Sequence, residues 1–433
     1  MESIWKKDVK LPEFQSLTGD HKTDVLIIGG GIAGILTAYM LKEKGIDCIL
    51  LEKERICGGT TSGTTAKITI QHGLIYNKLL EKCGMETAKG YLEANRYAMQ
   101  KLIDISRNID CELEIKDSYV YSLDNRAMIE RELEALHKIG YAAELCEDLT
   151  LPVKTVGAVR FADQAQFNPL KFISAIAGEL NIFENSLVRE LKGNTAVTDS
   201  GTVTAKNIVV ATHFPFLNKH GSYFLKLYQH RSYVIALENA QNVGGMYLDE
   251  SGYGLSFRNY KEYLLIGGGS HRTGKSGGNW SELREFTRRH YPNAKEVCHW
   301  AAQDCMSLDG IPYIGEYSKG TSGIYVASGF NKWGMTGAML SAVILSDMIG
   351  GRKNEFSEIF SPSRSILKPQ LFINGFEAVK NLLTFGGRRC PHLGCSLKWN
   401  KAEHSWDCAC HGSRFDSNGK LLDNPANGDL PEN

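Results

Sequence analysis

The chain has 433 residues, of which 42% are hydrophobic and 23% are charged. These are the proportions of an ordinary globular protein, so disordered, collagen-like and coiled-coil architectures are excluded, and the length predicts two or three domains. Lys and Arg together number 49, as do Asp and Glu. A chain without net charge has no general attraction to nucleic acid or to an anionic membrane, so composition predicts a small-molecule partner.

Two further features predict where the protein resides. Residues 1–7 contain neither an apolar stretch nor a small-residue cleavage site, which argues against secretion. The most apolar stretch, residues 25–41, has 17 residues and four glycines, so it is short and poorly built for a membrane helix. We therefore expect a cytoplasmic protein without a membrane span, whose 11 cysteines do not form a general disulfide framework.

The first strong pattern is a strand, a glycine-rich turn, a helix and a second strand. Residues 24–28 are typical of a buried strand, residues 29–34 form the turn, a helix runs to about Lys44, and residues 48–51 predict a second strand. In such a unit the glycines allow a tight turn and a close approach to a pyrophosphate, and a terminal acid binds a ribose. The pattern predicts dinucleotide binding, against the alternative of a glycine-rich loop that binds nothing; its residues are Gly29, Gly31, Gly34 and Glu52.

Later motifs distinguish between FAD and NAD. A loop rich in small and hydroxyl residues covers 58–67, a third buried strand covers 208–212, and the stretches 309–315, 324–329 and 334–337 follow. Together with the first unit, this spread resembles the D-amino-acid-oxidase-type superfamily of FAD-dependent oxidoreductases, which includes glycine and sarcosine oxidases. The resemblance implies an extended FAD whose ring lies near the last helix. The FAD contacts that it implies are Gly29, Gly31, Gly34, Glu52, Lys53, Thr60, Thr61, Gly329, Gly334, Met335 and Thr336.

One residue departs from this family pattern, because His213 follows the third strand where related flavoproteins usually have glycine. The fold class that the resemblance implies is α/β, with a Rossmann-like FAD-binding domain interleaved with an antiparallel α+β substrate domain and a small all-β module behind them. The expected boundaries are an N-terminal segment at 1–22, the FAD-binding domain at 23–75, 150–215 and 305–350, the substrate domain at 76–149 and 216–304, a linker at 351–387 and the module at 388–433.

The C-terminal module is predicted from clustered cysteines and histidines. Cys390 and His392 form a C-x-H pair, and after 15 residues Cys408 and His411 form a C-x-x-H pair. Two thiolates can hold one iron of a [2Fe-2S] cluster while two neutral imidazoles hold the other. The pattern resembles a Rieske iron-sulfur domain, and a structural zinc site is the alternative. The predicted metal ligands are Cys390, His392, Cys408 and His411.

The Rieske resemblance carries further implications. In respiratory-type Rieske proteins the cysteines that match Cys395 and Cys410 form a disulfide, the alternative here being two free thiols. The segment before Cys390 is short for a Rieske domain, so the base of the module looks truncated, and we expect it to depend on its cluster and on docking to the flavin domain. Ser413 is expected to donate to a bridging sulfide, and Phe415 stands where high-potential members have tyrosine.

The combination of cofactors predicts the reaction class. A flavin accepts two electrons and a [2Fe-2S] centre carries one. We therefore predict a dehydrogenase that oxidises a C–N bond of an amino acid or N-methylated amine and passes electrons singly through the cluster to a one-electron carrier protein or another acceptor. The alternatives are a reductase that is fed by the cluster, and a non-catalytic electron-transfer or redox-sensing flavoprotein.

Substrate contacts are predicted from three cations. Arg231 and Arg272 lie in or next to predicted strands of the substrate domain, and either guanidinium could bind a substrate carboxylate as a fork. Lys67 follows the hydroxyl-rich loop and could stabilise the anionic reduced flavin. For each of the three, a solvated surface charge is the alternative. For His72, packing is favoured over catalysis.

Overall fold

The computed structural model describes residues 2–217, 220–252, 254–384 and 386–431. A short 3-10 turn at Ile4–Lys6 precedes the first strand. The helices, in chain order, are α1 (Ile32–Glu43), α2 (Thr60–Gly63), α3 (Ile75–Cys83), α4 (Met85–Ser106), α5 (Arg126–Lys138), α6 (Pro169–Ala177), α7 (Tyr223–Lys226), α8 (Asn279–His290), α9 (Gly334–Ile349), α10 (Ser357–Phe360) and α11 (Pro369–Leu383). Within the described ranges no helix is long and apolar enough to cross a membrane.

The strands form three sheets. The first ten are β1 (Gly19–Ile28), β2 (Cys48–Leu51), β3 (Lys67–Ile68), β4 (Glu114–Ser122), β5 (Glu144–Cys146), β6 (Gly157–Gln166), β7 (Ile182–Phe183), β8 (Glu190–Lys192), β9 (Thr195–Val197) and β10 (Gly201–Val210). They are followed by β11 (Leu227–Glu238), β12 (Met246–Asp249), β13 (Ser256–Tyr260), β14 (Tyr263–Arg272), β15 (Lys295–Ser307), β16 (Tyr313–Glu316), β17 (Ile324–Ser328), β18 (Leu397–Asn400), β19 (Ser405–Cys408), β20 (Arg414–Phe415) and β21 (Leu421–Asp423).

The first sheet forms the nucleotide-binding half. Its order is β16-β17-β10-β1-β2-β7, and the strands from β17 to β7 run parallel. The end of β1, residues 25–28, is apolar and fully buried, as expected for a parallel strand with both faces covered. Because the carboxyl ends of parallel strands meet at one edge, the glycine turn after β1 and Glu52 after β2 come together there. The predicted α/β fold class is confirmed.

The second sheet is mostly antiparallel and has the order β15-β11-β14-β13-β12-β4-β6-β3, with β5 beside β6. The exception is the parallel pair of β12 and β4. Strands β3 and β6 pair in this sheet, although they lie within residues 23–75 and 150–215, which the sequence predicted to belong to the FAD-binding domain. Their partners lie far away in the chain, so local sequence patterns did not distinguish the two sheets.

The predicted linker, residues 351–387, contains two helices. Helix α10 is short, and α11 covers Pro369–Leu383. Pro369 occupies the first turn, where its missing N–H costs no hydrogen bond. Arg364 fixes the segment before α11, because its Nε and Nη2 each donate to Asp309 over 2.9 Å.

The C-terminal module is a four-stranded antiparallel sheet in the order β18-β19-β20-β21. Its apolar core is small and consists of Cys390, Cys395, Leu397, Cys408, Cys410, Phe415 and Ala426. The two cysteine-containing loops lie at one end of this sheet, before β18 and between β19 and β20. So small a core agrees with the expectation that the module depends on docking and on its cluster.

A buried charge cluster docks the module against β11. The side chains of Arg231 and Glu403 are each only 5% exposed and form a salt bridge in which the Arg231 Nε donates over 3.0 Å. Arg414 donates to the same carboxylate over 2.8 Å, and the Tyr233 hydroxyl donates over 3.0 Å. Burial acts to raise the pKa of Glu403, but the two guanidinium groups outweigh it and the pKa is lowered. Glu403 is therefore buried and ionised, and its ion pair with Arg231 holds the module against β11.

We predict that Arg231→Ala loosens the module. Removal of one partner of a buried pair leaves an uncompensated charge, at a cost of about 3–5 kcal/mol. Limited proteolysis should then release a C-terminal fragment faster than from the wild-type chain. The matched control is Arg289→Ala, because Arg289 and Glu285 form an exposed pair with side chains 70% and 66% exposed; such a pair is worth about 1 kcal/mol or less. Equal fragment release from both variants would contradict the role of Arg231.

Candidate active site and metal centre

A cavity of about 710 Å³ opens at the carboxyl ends of β1 and β2. Its volume lies within the range of about 300–1,000 Å³ that is typical of ligand and cofactor sites. Most residues that the sequence predicted as FAD contacts line it. They are Gly29, Gly31, Glu52, Lys53, Thr60, Thr61, Gly334 and Met335.

The glycine turn is built for close approach. A Cβ atom on Gly29, whose φ is +113°, would lie 2.6 Å from the carbonyl oxygen of Ala211. One on Gly34 would lie 1.9 Å from the carbonyl oxygen of Gly29, so any side chain there would separate α1 from β1. At Gly31 the nearest atom would be the Thr61 Oγ1, 3.4 Å away, and the backbone is open to the cavity. This cradle fits a pyrophosphate at the start of α1.

Glu52 stands at the end of β2 on the cavity wall. The Gly30 N–H donates to its Oε2 over 2.7 Å, and the Glu54 N–H donates to its Oε1 over 3.0 Å. Burial raises the pKa of Glu52, although these two hydrogen bonds act in the opposite direction. A carboxylate held in this way keeps further lone pairs available for ribose hydroxyl groups.

Three predicted FAD contacts lie behind the cavity wall. Gly34 packs α1 on β1, as described. The Thr336 hydroxyl donates to the Thr69 carbonyl over 2.8 Å and so ties the start of α9 to the neighbouring loop. Gly329 has a φ of +72° at the turn after β17. These residues shape the site around the cavity lining.

The predicted substrate contacts are placed differently. Lys67 lines the cavity, where its Nζ donates to the Tyr247 carbonyl over 2.8 Å. Desolvation by the surrounding protein lowers the pKa of Lys67 to about 7. Among the cavity-lining residues of the described ranges, neither Arg231 nor Arg272 is found.

The contacts of these two arginines do not support the hypothesis that they bind a substrate carboxylate. Arg231 is paired with Glu403. Arg272 donates to the carbonyl groups of Ala409 and Cys410 over 3.0 and 3.1 Å and to the Asn374 side chain over 2.9 Å. Both guanidinium groups are occupied by the C-terminal module and the helix before it.

A polar cluster that the sequence analysis did not predict lies on the cavity wall. The Lys332 Nζ donates to the Ser270 Oγ over 3.1 Å, and the Ser232 Oγ lies 3.2 Å from the same oxygen. Lys332 lines the cavity and is exposed to solvent. Desolvation by the surrounding protein nevertheless lowers its pKa. Burial raises the pKa of the nearby Asp304. The only sequence signal for Lys332 was its position two residues before Gly334, which opens α9.

His72 also lines the cavity, and its contacts fit the expected packing role. Its ring stacks on Trp333 with 4.9 Å between centroids. Its Nδ1 lies 2.7 Å from the Tyr91 hydroxyl and its Nε2 lies 2.9 Å from the Thr69 carbonyl oxygen. Burial lowers the pKa of His72 to about 3, so the ring is neutral at physiological pH.

At the metal centre, the two cysteine-containing loops meet. Cys395 and Cys410 form a disulfide that joins them, as the Rieske resemblance implied. The rings of His392 and His411 lie 4.9 Å apart between centroids. A hydrogen bond from Cys408 lowers the pKa of Cys390 to about 7, which favours a thiolate.

Both histidines have the protonation state that metal binding requires. Burial lowers the pKa of His392 to about 4 and that of His411 to about 3, so both imidazoles are neutral. The Nδ1 of His411 is buried and has no hydrogen-bond partner among the described residues. A buried nitrogen without a partner is costly, and ligation to a metal satisfies it. The four predicted ligands therefore fit a Rieske cluster.

Two side chains connect the cavity to the metal centre. His213 lines the cavity, and its Nε2 donates to the Gln229 Oε1 over 3.1 Å. The Gln229 Nε2 donates in turn to the carbonyl oxygens of His411 and Asn424, each over 3.0 Å. His213 has a φ of +66°, so it adopts the left-handed conformation at the position where the family usually has glycine. Its ring supplies the contact to Gln229 that a glycine lacks.

Comparison with known proteins agrees with both sites. The family of FAD dependent oxidoreductases called DAO matches residues 24–348, and the Rieske [2Fe-2S] domain matches residues 376–432. The chain therefore belongs to the DAO-type FAD-dependent oxidoreductases and carries a C-terminal Rieske domain. Its cofactors are FAD and a [2Fe-2S] cluster, and the predicted oxidoreductase class is confirmed.

Three known proteins show how far the similarity extends. The putative Rieske 2Fe-2S iron-sulfur protein YhfW of Bacillus subtilis (strain 168) is 34% identical over 98% of this chain and 96% of its own. Glycine oxidase from Geobacillus kaustophilus has a TM-score of 0.66 and 19% identity, covering 80% of this chain and 100% of that one. L-proline dehydrogenase from P. horikoshii has a TM-score of 0.67 and 15% identity, covering 80% and 98%. At such identities the two solved structures show the fold alone.

We predict that Glu52→Arg weakens FAD binding strongly. The substitution removes the acceptor for ribose hydroxyl groups and the two backbone N–H bonds. The FAD dissociation constant should rise roughly 100-fold, the equivalent of about 3 kcal/mol. Titration of apoprotein with FAD measures it. The control is Glu43→Arg, because Glu43 is exposed at the far end of α1; if both variants bind FAD equally, Glu52 has no role in the site.

A second prediction concerns the reduction potential of the cluster. Ser413 is buried and accepts a hydrogen bond from the Ala426 N–H over 3.0 Å, which leaves its hydroxyl hydrogen to donate toward Cys390. Donors to cluster sulfurs stabilise the more negative reduced state. Ser413→Ala should lower the potential, and Phe415→Tyr, which adds a hydroxyl in the module core, should raise it. Protein-film voltammetry measures both. Unchanged potentials in variants with full cluster content would show that neither side chain tunes the cluster.

Proposed function

We propose that this protein is a cytoplasmic FAD-dependent dehydrogenase that oxidises a C–N bond of an amino acid or N-methylated amine. When bound, the flavin takes up two electrons and the Rieske cluster passes them on singly to a carrier protein or another acceptor. The observation that carries the proposal is that the C-terminal module forms part of the cavity wall. Residues 421–424 of the C-terminal module line the same cavity as the glycine turn.

Hydrogen bonds connect the cavity wall to the loop of the module that carries His411. His213 and Gln229 bridge the cavity wall and the backbone of His411 by two hydrogen bonds. The Gln303 side chain adds a third contact, donating to the Gly412 carbonyl over 2.9 Å. These bonds hold the loop of one predicted metal ligand against the flavin site, which is the arrangement that electron exchange between them needs.

The substrate class is supported by the polar cluster and by the solved neighbours. Glycine oxidase and L-proline dehydrogenase are named for amino-acid substrates. An amino acid needs a cation for its carboxylate, and Lys332 presents an ammonium to the cavity beside the hydroxyl groups of Ser270 and Ser232. We therefore assign the carboxylate contact to Lys332 in place of Arg231 and Arg272.

Lys67 keeps the role that was expected for it, a cation near the reduced flavin. Its Nζ is held by the Tyr247 carbonyl on the cavity wall. With a pKa lowered to about 7 by desolvation, this lysine carries its charge below neutral pH and loses it above. Any contribution of its charge to the flavin site is therefore greatest on the acidic side of neutrality.

The reaction is tested by anaerobic mixing of the holoprotein with amino acids and N-methylated amines. We expect at least one of them to bleach the flavin and, at the same time, to produce the EPR signal of a reduced cluster. In Cys408→Ser the bleaching should persist while the EPR signal is lost. No bleaching by any compound, with reduction of the flavin through the cluster by an external donor instead, would favour the alternative reductase.

Lys332→Met tests the substrate contact. Loss of a charge-assisted hydrogen bond costs about 1.5–3 kcal/mol, so the substrate concentration for half-maximal bleaching should rise roughly 10-fold or more. The effect should be confined to substrates that carry a carboxylate. An equal loss with an N-methylated amine that lacks a carboxylate would contradict the assignment.

A further inference from the structure

Helix α11 exposes an apolar stripe to solvent. Phe372, Phe376, Val379 and Leu383 are 71%, 67%, 55% and 66% exposed, and Ile373 beside them is 52% exposed. Spacings of four, three and four residues place the first four on one face of the helix. Single exposed apolar residues are ordinary, but a contiguous stripe of this kind marks an interaction surface.

The opposite face of α11 is polar and is the face that packs on the protein. Asn374 and Asn381 are buried. The Asn374 side chain accepts from Arg272 and donates to the Leu225 carbonyl, and Glu377 forms a salt bridge with Lys275. These contacts fix the rotation of the helix, so the apolar stripe cannot turn inward without breaking them. The helix is thus inverted relative to a usual surface helix, whose apolar side faces the core.

Basic residues border the stripe. Between residues 363 and 389 the chain contains five basic residues, of which Arg364 is paired with Asp309. The segment has a single acid, Glu377, which is paired with Lys275. Lys380 is exposed within α11, and Lys368 precedes it. Arg388 and Arg389 follow it. The neutral net charge of the whole chain therefore conceals a locally basic segment.

We propose that the outward face of α11 docks on the surface of an anionic lipid bilayer. An amphipathic helix with aromatic and aliphatic side chains on one face and Lys or Arg beside them lies in the interface plane, with the apolar side chains at the acyl boundary and the cations at the headgroups. Helix α11 spans 15 residues, a length of about 22 Å at 1.5 Å per residue.

Charge favours this occupant over a second copy of the chain. Two copies that meet through the same face would bring their basic borders together, and like charges oppose such an interface. Anionic headgroups neutralise the same cations. The lipid surface satisfies both the apolar stripe and the charge that surrounds it.

The docking face extends to the metal centre. Leu382 is 47% exposed, and Leu393, 42% exposed, belongs to the loop of the predicted ligand His392. An electron acceptor held in or on the bilayer would meet the module at this loop. This consequence rests on the proposed function, whereas the binding of α11 to lipid does not.

The experiment is cosedimentation of the complete holoprotein, without substrate, with vesicles of phosphatidylcholine alone and of phosphatidylcholine with phosphatidylglycerol. We expect binding to the anionic vesicles, weaker binding as salt is added, and little binding to the neutral ones. The double variant Phe372→Ser/Phe376→Ser should lower the partition coefficient roughly 10-fold or more, because apolar burial drives insertion. The control is Leu123→Ser, since Leu123 is equally apolar, 50% exposed and lies outside α11.

Several outcomes would overturn the proposal. They are no binding of the wild-type protein to anionic vesicles, equal binding by the double variant with normal flavin and cluster absorbance, and an equal loss in Leu123→Ser. A dimer of the wild-type protein that dissociates in the double variant, without vesicle binding, would assign the face to a second copy. Loss of electron transfer to an acidic carrier protein in the double variant, again without vesicle binding, would assign it to that partner. Because no substrate is present, failure of the proposed reaction would leave the vesicle result unchanged.

Discussion

The carboxylate of Glu403 is the contact on which the relative placement of the two cofactor sites depends. It is buried, and a buried charge is tolerated only when it is paired and hydrogen-bonded. Arg231 from β11 and Arg414 from β20 both pair with it, so the ion cluster belongs to both parts of the chain. Separation of the module would leave Arg231 unpaired on the second sheet. The docked arrangement is therefore favoured by electrostatics that neither part can satisfy alone.

Docking also compensates for the size of the module. Its apolar core has few residues, and a core of this extent supplies little stability by itself. The Cys395–Cys410 disulfide joins the two loops, and a metal cluster adds ligation energy. The contacts of Gln229, Gln303 and Arg272 with the loop at 409–412 then hold that loop against the flavin cavity. Stability of the module and proximity of the two cofactors thus have the same structural cause.

The same arrangement explains the inverted helix before the module. Asn374 and Glu377 face the protein because their partners, Arg272 and Lys275, lie at the end of β14 and just beyond it, where the module docks. Once the polar side chains are satisfied inward, the apolar ones must point outward. Overall composition cannot show this, since a neutral chain with ordinary hydrophobicity is compatible with a locally basic and apolar surface.

The sequence by itself determined the features whose geometry is set by short spacing. The turn from Gly29 to Gly34, the acid Glu52 and the ligand pairs around Cys390 and Cys408 each depend on a few neighbouring residues. Their spacing along one strand, turn or loop predicted dinucleotide binding and a metal site with two Cys–His pairs. FAD, the Rieske type of cluster and the fold class followed from the resemblance to known families. The Cys395–Cys410 disulfide followed from resemblance in the same short segment.

Only the tertiary structure decided the roles of side chains whose partners are distant in the chain. Arg231 and Glu403 are 172 residues apart, and Arg272 and Ala409 are 137 apart. An arginine has the same sequence signature whether it binds a substrate or docks a domain, so the sequence did not show the partners of either one. Lys332 was missed because its partner Ser270 lies on β14, 62 residues away in the chain. The assignment of β3 and β6 to the second sheet and the outward face of α11 likewise depend on which distant groups satisfy which hydrogen bonds and charges.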